Sequence, residues 1–132
     1  MTEARLPPLV YDAGALLAVD RGDKQMRGLH TRALLKKRLI LVPAPVLAQA
    51  WRNGAKQSKL ARVLDGCTIE PTTERAAKAA GVLLGTSRTS DAVDAIVVAT
   101  ALPLDAHVVT SDVKDLNILA GSANAALTLI SV

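Results

Sequence analysis

The chain has 132 residues, half of them apolar, which is enough for one domain with its own hydrophobic core. The single cysteine, Cys67, excludes an internal disulfide and agrees with a reducing cytoplasm. Sixteen Lys and Arg against twelve Asp and Glu give a net charge of +4, which is weak evidence for a polyanionic partner, and one Trp and one Tyr are too few for a base-stacking platform.

The first half of the chain is predicted to alternate strands and helices. Short apolar runs predict strands at residues 9–11, 39–42 and 67–70, each followed by a polar residue or proline. The segments between them have helical spacing of apolar residues or good helix formers. We expect these helices at residues 13–20, 22–37, 45–51 and 56–65.

The second half continues the same alternation. Thr73 is expected to cap an Ala-rich helix that runs to about residue 84, and residues 85–89 read as a polar loop. Ser90 is the predicted cap of a helix over 91–102. A strand at 107–110, a helix at 113–120, a turn at 121–124 and a last strand at 127–130 complete the chain.

This order predicts an α/β fold with a parallel five-stranded sheet flanked by helices, formed as one domain over residues 1–132. The first eight residues, MTEARLPP, contain charge and proline and do not resemble a signal peptide. The longest apolar stretch, residues 95–104, contains Pro103 and is too short to cross a bilayer. We therefore expect a cytoplasmic protein with no membrane segment.

Two aspartates follow predicted strands at the edge where such sheets bind ligands. Asp12 comes directly after the first strand, and Asp112 comes just after the fourth. In open parallel sheets, ligands bind outside the carboxyl ends of the strands, where the strand order reverses. Helix capping explains either aspartate equally well on its own.

The helix at 91–102 adds two more acids. Asp91 and Asp94 are three residues apart, so they are expected to share one face, which continues through Val98 and looks buried. The helix dipole favours acids in a first turn, but acids on a buried face also need a cation or donors. Oxygen ligands favour Mg²⁺ or Mn²⁺, whereas two His and one Cys argue against zinc. Such a site can hydrolyse a phosphodiester by in-line attack of water.

Four segments together resemble PIN domains, and among them the VapC-type ribonuclease toxins of bacterial toxin–antitoxin pairs. They are LVYDAGALLAVDRGD, LVPAPVLAQAWR, TSDAVDAIVVATAL and VVTSDVKDL, and their order and spacing fit over nearly the whole chain. The resemblance implies a PIN-like fold and a Mg²⁺- or Mn²⁺-dependent endoribonuclease. By position, Asp12, Asp94 and Asp112 would hold the metal, and Asp91 would be a fourth catalytic acid.

The resemblance also assigns supporting residues. Thr110 or Ser111 matches a hydroxyl that orients substrate or water, and Asp115 matches a less central acid. Gln49 occupies the place where the family usually has Glu. Gln can offer a carbonyl oxygen but brings no charge and cannot act as a base, so the site has one negative charge fewer.

The partners implied by the resemblance are RNA, a small antitoxin protein and a second copy in a homodimer. The antitoxin would lie across apolar residues of the helices at 13–36 and 44–65, although plain core packing explains those residues as well. The candidate groove residues are Leu16, Leu17, Leu34, Leu47, Trp51 and Leu60, and the candidate residues for RNA specificity are Arg21, Lys24, Arg52, Lys56 and Arg88.

Two other functions remain open from the sequence. Gln49 favours a PIN-fold protein that is catalytically weak, or that binds RNA or a partner without cutting, and a PIN nuclease of RNA processing is the other alternative. A receiver domain is excluded because Asp12 has no adjacent acid, and a dinucleotide-binding domain because DAGA has one glycine only. A phosphatase of the haloacid-dehalogenase type would need an acid where Gly14 stands.

Overall fold

The computed structural model describes residues 5–132, so residues 1–4 of the predicted domain lie outside the described residues. Within this range the chain forms five strands and seven α-helices. The strands are β1 (Leu9–Tyr11), β2 (Ile40–Pro43), β3 (Thr68–Glu70), β4 (His107–Thr110) and β5 (Thr128–Ser131). The helices are α1 (Ala13–Asp20), α2 (Lys24–Leu35), α3 (Ala44–Ala50), α4 (Ser58–Leu64), α5 (Glu74–Ser87), α6 (Ala92–Ala101) and α7 (Val113–Ser122).

All neighbouring strands pair in parallel, in the order β3-β2-β1-β4-β5. The chain therefore builds outward from β1 to β2 and β3 on one side, and then returns to place β4 and β5 on the other. The reversal of strand order falls between β1 and β4. The predicted five-stranded parallel α/β fold is confirmed.

The core is centred on β1, whose three residues are buried together with most of β4. Tyr11 is fully buried, and its hydroxyl lies 2.9 Å from Nδ1 of the buried His30 on α2. Burial raises the pKa of Tyr11 and lowers that of His30, so this pair is a neutral hydrogen bond within the core. The central strand is thus buried on both faces, and its last residue precedes Asp12.

The helix predicted over residues 56–65 begins later, at Ser58, because Gln57 interrupts it. The Gln57 side chain is buried, and its carbonyl accepts hydrogen bonds from the backbone N–H groups of Arg52 (2.7 Å) and Asn53 (2.9 Å). Its amide donates to the carbonyl oxygen of Ala50 (2.9 Å) and to Asp20 (3.2 Å). These bonds close the turn between α3 and α4, and residues 54–56 form a 3-10 turn.

Two further predictions at the ends of α5 and α6 are wrong. Helix α5 continues through the predicted loop at 85–87 and ends at Ser87, where Arg88 takes a left-handed conformation with φ 56°. Helix α6 is capped by Asp91 and not by Ser90. The other predicted boundaries lie within two residues of the observed ones, and those of β1, α1 and β4 coincide with them.

Candidate active site

Two acids lie at the carboxyl edge of the sheet, at the reversal of strand order. Asp12 follows β1 and Asp112 follows β4, and the two strands are hydrogen-bonded neighbours. The carboxyl ends of parallel strands lie at one edge of the sheet, so residues that directly follow neighbouring strands lie close together. The backbone N–H of Asp12 also donates to the carbonyl oxygen of Val109 on β4 at 3.2 Å, which ties the two strand ends together.

Helices α6 and α7 complete an acidic cluster at this edge. Carboxylate oxygens of Asp94, Asp112 and Asp115 lie within 4.8 Å of one another. Asp94 is in the first turn of α6, Asp115 is in the first turn of α7, and Asp112 directly precedes α7. The cluster therefore joins segments that are far apart in sequence, and each acid comes from the amino-terminal end of a helix.

Asp12 is the most deeply buried acid of the site, with 4% of its surface exposed. One carboxylate oxygen accepts a hydrogen bond from the backbone N–H of Ala15 at 2.9 Å, which caps α1, and the other accepts from the hydroxyl of Thr110. Burial raises its pKa, while these hydrogen bonds act in the opposite direction. Asp12 therefore has the predicted capping role, and the nearby charge of Asp112 contributes to its raised pKa.

Thr110 connects Asp12 to Asp112. Its hydroxyl is fully buried, donates to Asp12 and accepts the backbone N–H of Asp112 at 2.8 Å. Both bonds are internal to the site, which indicates a positioning role for Thr110. The neighbouring Ser111 is exposed, and its contact with substrate stays a prediction.

Gly14 allows α1 to approach the segment that follows β4. A Cβ atom placed on Gly14 would lie 1.9 Å from Oγ, 2.8 Å from Cβ and 3.1 Å from the backbone nitrogen of Ser111. Rotation of the Ser111 side chain relieves only the first contact. Sequence reasoning missed this residue, although a glycine inside a short helix, where alanine would be more stable, is a signal of close packing.

The acidic cluster carries uncompensated negative charge. Burial is the largest cause that raises the pKa of Asp94 to about 7, followed by the charges of Asp91, Asp112, Asp12 and Asp115. Burial and the charge of Asp115 also raise the pKa of Asp112. Among residues 5–132, no Lys or Arg forms an ion pair with these acids. A donor set of carboxylate oxygens with excess negative charge fits a hard divalent cation such as Mg²⁺ or Mn²⁺.

Asp91 lies outside α6 as its N-cap, so the prediction that it shares a helical face with Asp94 is wrong. Its side chain accepts a hydrogen bond from the backbone N–H of Asp94 at 3.0 Å and is exposed. Asp91 therefore stabilises the start of the helix that presents Asp94, and its charge contributes to the field at that residue. A direct catalytic role for Asp91 stays a prediction.

Gln49 is exposed on α3, and its side chain forms no hydrogen bond with an acid of the cluster in the part of the chain that the structure describes. Helix α3 contacts α6 and α1, so the residue lies on an element next to those that carry Asp94 and Asp12. The residues predicted to contact RNA are all exposed, as such a role requires: Arg21, Lys24, Arg52, Lys56 and Arg88.

The predicted apolar groove is corrected at two positions. Leu16 and Leu60 are fully buried core residues and line no groove. Leu17, Leu34 and Trp51 are 44%, 46% and 38% exposed, so they are available to a partner. Trp51 and the half-buried Leu47 line an open cavity of about 450 Å³ beside β3, and Leu34 lines a second cavity of about 440 Å³ between α2 and α4.

Comparison with known families and with curated sequences gives no match. The fold, however, is similar to that of solved proteins. A chain in the structure of VapBC2 from Rickettsia felis bound to a promoter DNA fragment has a TM-score of 0.69 and 18% identity, with 94% of this chain and 98% of that chain covered. A chain of a toxin–antitoxin complex from Klebsiella pneumoniae has a TM-score of 0.64, 18% identity and coverages of 81% and 88%.

A third similarity is to a chain of FitAB bound to the IR36 DNA fragment, with a TM-score of 0.59, 15% identity and coverages of 92% and 94%. At these identities the similarities establish the fold, and the predicted PIN-like fold is confirmed. In the part of the chain that the structure describes, none of the helices is both long and apolar enough to span a lipid bilayer.

Proposed function

We propose that this chain is a divalent-metal-dependent endoribonuclease and the toxin of a VapBC-like toxin–antitoxin pair. The observation that carries the proposal is the cluster of Asp94, Asp112 and Asp115, with buried Asp12 beside it, at the sheet edge where strand order reverses. The similarity in fold to chains of toxin–antitoxin complexes supports the biological role. A small antitoxin protein is the partner that follows from it.

The acids would hold Mg²⁺ or Mn²⁺ through their carboxylate oxygens. When bound, the cation supplies charge stabilisation at the phosphodiester and lowers the pKa of water. Asp94 and Asp112 are the central ligands of the proposal, with Asp115 or Asp12 as the third. The structure favours Asp115 by distance, whereas Asp12 is directed inward by the bonds to Ala15 and Thr110.

The protein residues have distinct tasks in this proposal. Asp12 and Thr110 fix the relative position of the two strand ends, and the N-cap Asp91 fixes the first turn of α6. Burial and the neighbouring acids raise the pKa of Asp94 to about 7. Without a cation a proton on Asp94 relieves the repulsion between the acids, so a cation and the proton compete for the same group.

The test is RNA cleavage by the purified protein and its variants, with sequencing of the RNA ends. Asp94→Asn is expected to lower metal-dependent cleavage by at least about 100-fold, since it removes a charge on which cation binding depends. Gln49→Ala is expected to reduce cleavage only partly. Asp105→Asn is the matched control, because Asp105 is an exposed acid in the loop before β4.

Full cleavage activity in the Asp94→Asn protein would refute the assignment of the site. The non-catalytic alternative, which Gln49 favours, is tested by calorimetric titration with Mn²⁺. Absence of heat at millimolar Mn²⁺, together with intact RNA, would support a binding protein instead of a nuclease. Mn²⁺ binding and RNA cleavage by the wild type, together with the loss of both in Asp94→Asn, would support the nuclease.

A further inference from the structure

The charge of this protein is unevenly distributed along the chain. Residues 21–66, which we call the basic segment, contain eleven Lys and Arg against two acids, Asp23 and Asp65, and so have a net charge of +9. The other 86 residues have five Lys and Arg against ten acids, a net charge of −5. The acidic cluster belongs to the negative part, and α2, α3 and α4 belong to the basic segment.

Three cations of the basic segment converge on one cleft. The cavity of about 440 Å³ lies between α2, α4 and the turn that joins α1 to α2. Arg27 of α2 and Lys59 and Arg62 of α4 line it, and we call this the cationic cleft. The ammonium group of Lys59 lies close to the turn, since a Cβ atom on Gly22 would be 2.7 Å from its Nζ.

These three cations have no protein partner within residues 5–132. None of Arg27, Lys59 and Arg62 is in an ion pair or a side-chain hydrogen bond there. The one carboxylate that lines the cleft, Asp23, accepts the backbone N–H of Met26 at 2.9 Å as the cap of α2. Three like charges around a cavity repel one another, and an anionic ligand would remove this repulsion.

Helix α1 separates the cationic cleft from the sheet edge that carries the acidic cluster. Asp12 precedes α1 and Gly22 follows it, and the eight residues of α1 span about 12 Å. A strand held at the acidic cluster would therefore have to follow the protein surface over at least about 12 Å to reach the cleft. The negative charge around the cluster repels phosphate, so most of the attraction for a polyanion must come from the basic segment. Val19 and Val63 offer apolar walls for ribose carbons.

We propose that the cationic cleft binds the phosphate backbone of an RNA strand outside the acidic cluster, through Arg27, Lys59 and Arg62. The site would add affinity without base recognition, because charged contacts to phosphate carry no sequence information. The inference rests on the proposed ribonuclease function for its choice of RNA as the polyanion. It is nevertheless tested by binding alone, in the absence of cleavage.

The test compares two matched double variants. Lys59→Gln/Arg62→Gln removes one Lys and one Arg three residues apart on α4, and Arg75→Gln/Lys78→Gln does the same on α5, outside the basic segment. All four residues are exposed, so neither pair should disturb the core. Both pairs are made in the Asp94→Asn background with EDTA, and circular dichroism checks folding.

The probes are fluorescein-labelled oligouridylates of about 20 and about 4 nucleotides, measured by fluorescence anisotropy at several salt concentrations. The α4 pair should weaken binding of the long probe by about tenfold and lower its salt slope by about 1.4, since each phosphate that is no longer neutralised reduces the slope by about 0.7. The α5 pair should change neither quantity. The short probe should have a smaller salt slope than the long one in every variant, because it carries fewer phosphates.

Equal affinity and salt slope in the two double variants would overturn the proposal, as would failure of the long probe to bind the Asp94→Asn protein. Loss of binding to poly-L-glutamate in the α4 pair, with RNA binding unchanged, would instead identify an acidic polypeptide as the occupant. Failure of the ribonuclease proposal is recognised separately, by wild-type protein that binds the long probe with the expected slope but leaves RNA intact.

Discussion

Thr110 links two acids of the candidate site through one hydroxyl group. It donates to Asp12 and accepts the backbone N–H of Asp112, and all of these contacts are buried or partly buried. A buried hydroxyl with two partners cannot be removed without leaving both of them unsatisfied. At the residue scale, the position of the acids therefore depends on Thr110 as well as on the strands.

Thr110→Val keeps the shape of the side chain and removes both hydrogen bonds. We expect a loss of about 1–3 kcal/mol in the free energy of unfolding, because the Asp12 carboxylate and the Asp112 N–H lose a partner in a buried place. Thr110→Ser, which keeps the hydroxyl, should recover most of this loss. Urea denaturation measures both variants, and an unchanged midpoint in Thr110→Val would show that the hydroxyl is not needed.

At the scale of elements, the site depends on how closely α1 approaches the segment after β4. The approach is possible because Gly14 has no side chain where Ser111 passes. Elsewhere in the chain, Gly81 lies within α5 with nothing within 4 Å of a Cβ placed on it. Substitution of these two glycines by alanine therefore separates the effect of close packing, at Gly14, from the effect of helix propensity, at Gly81.

Gly14→Ala should destabilise the fold and reduce metal affinity, since the added Cβ displaces Ser111 and with it Asp112. Gly81→Ala should stabilise the fold by about 0.5–1 kcal/mol, as expected of alanine in an exposed helix. Ser111→Gly in the Gly14→Ala background should restore part of the loss. Thermal unfolding and Mn²⁺ titration measure these effects, and a stabilised Gly14→Ala protein would contradict the close approach.

At the scale of the whole molecule, the acidic cluster lowers stability in the absence of a cation. The pKa of Asp94 is about 7 in the folded chain against 3.8 as its ordinary value. Between these values the unfolded chain releases a proton that the folded chain keeps, so stability falls as pH rises from about 4 to 7. Above pH 7 both states are ionised, and the loss is complete.

Asp94→Asn should therefore be more stable than the wild type at pH 8 in EDTA, by about 1 kcal/mol after allowance for solvent screening and for the favourable helix dipole. The difference should be smaller at pH 5. Urea denaturation at the two pH values measures it, with Asp105→Asn as the control for loss of an exposed acid. A difference that grows towards low pH would show that the repulsion between the acids is not the cause.

The sequence by itself determined the order of strands and helices, the parallel sheet and the position of two acids at strand ends. These follow from local patterns, because apolar runs, prolines and caps act over a few residues. Asp12, Asp94 and Asp112 could be identified as candidate site residues for the same reason, since each lies at the end of a predicted strand or at the start of a predicted helix. The break at Gln57 could not be predicted, because it depends on hydrogen bonds that its side chain forms with the backbone of Ala50 and Arg52. The extension of α5 to Ser87 could not be predicted either, because no proline or other strong helix breaker marks its end.

Only the tertiary structure decided which carboxylates meet. The closest three are Asp94, Asp112 and Asp115, while Asp12 is turned toward Ala15 and Thr110, and spacing along the chain does not reveal such orientations. Leu16 and Leu60, predicted to line a groove, are buried in the core. Three cations of α2 and α4 line one cleft. The reason is physical: a local pattern sets the face that a side chain occupies, but the packing of distant elements sets its neighbours.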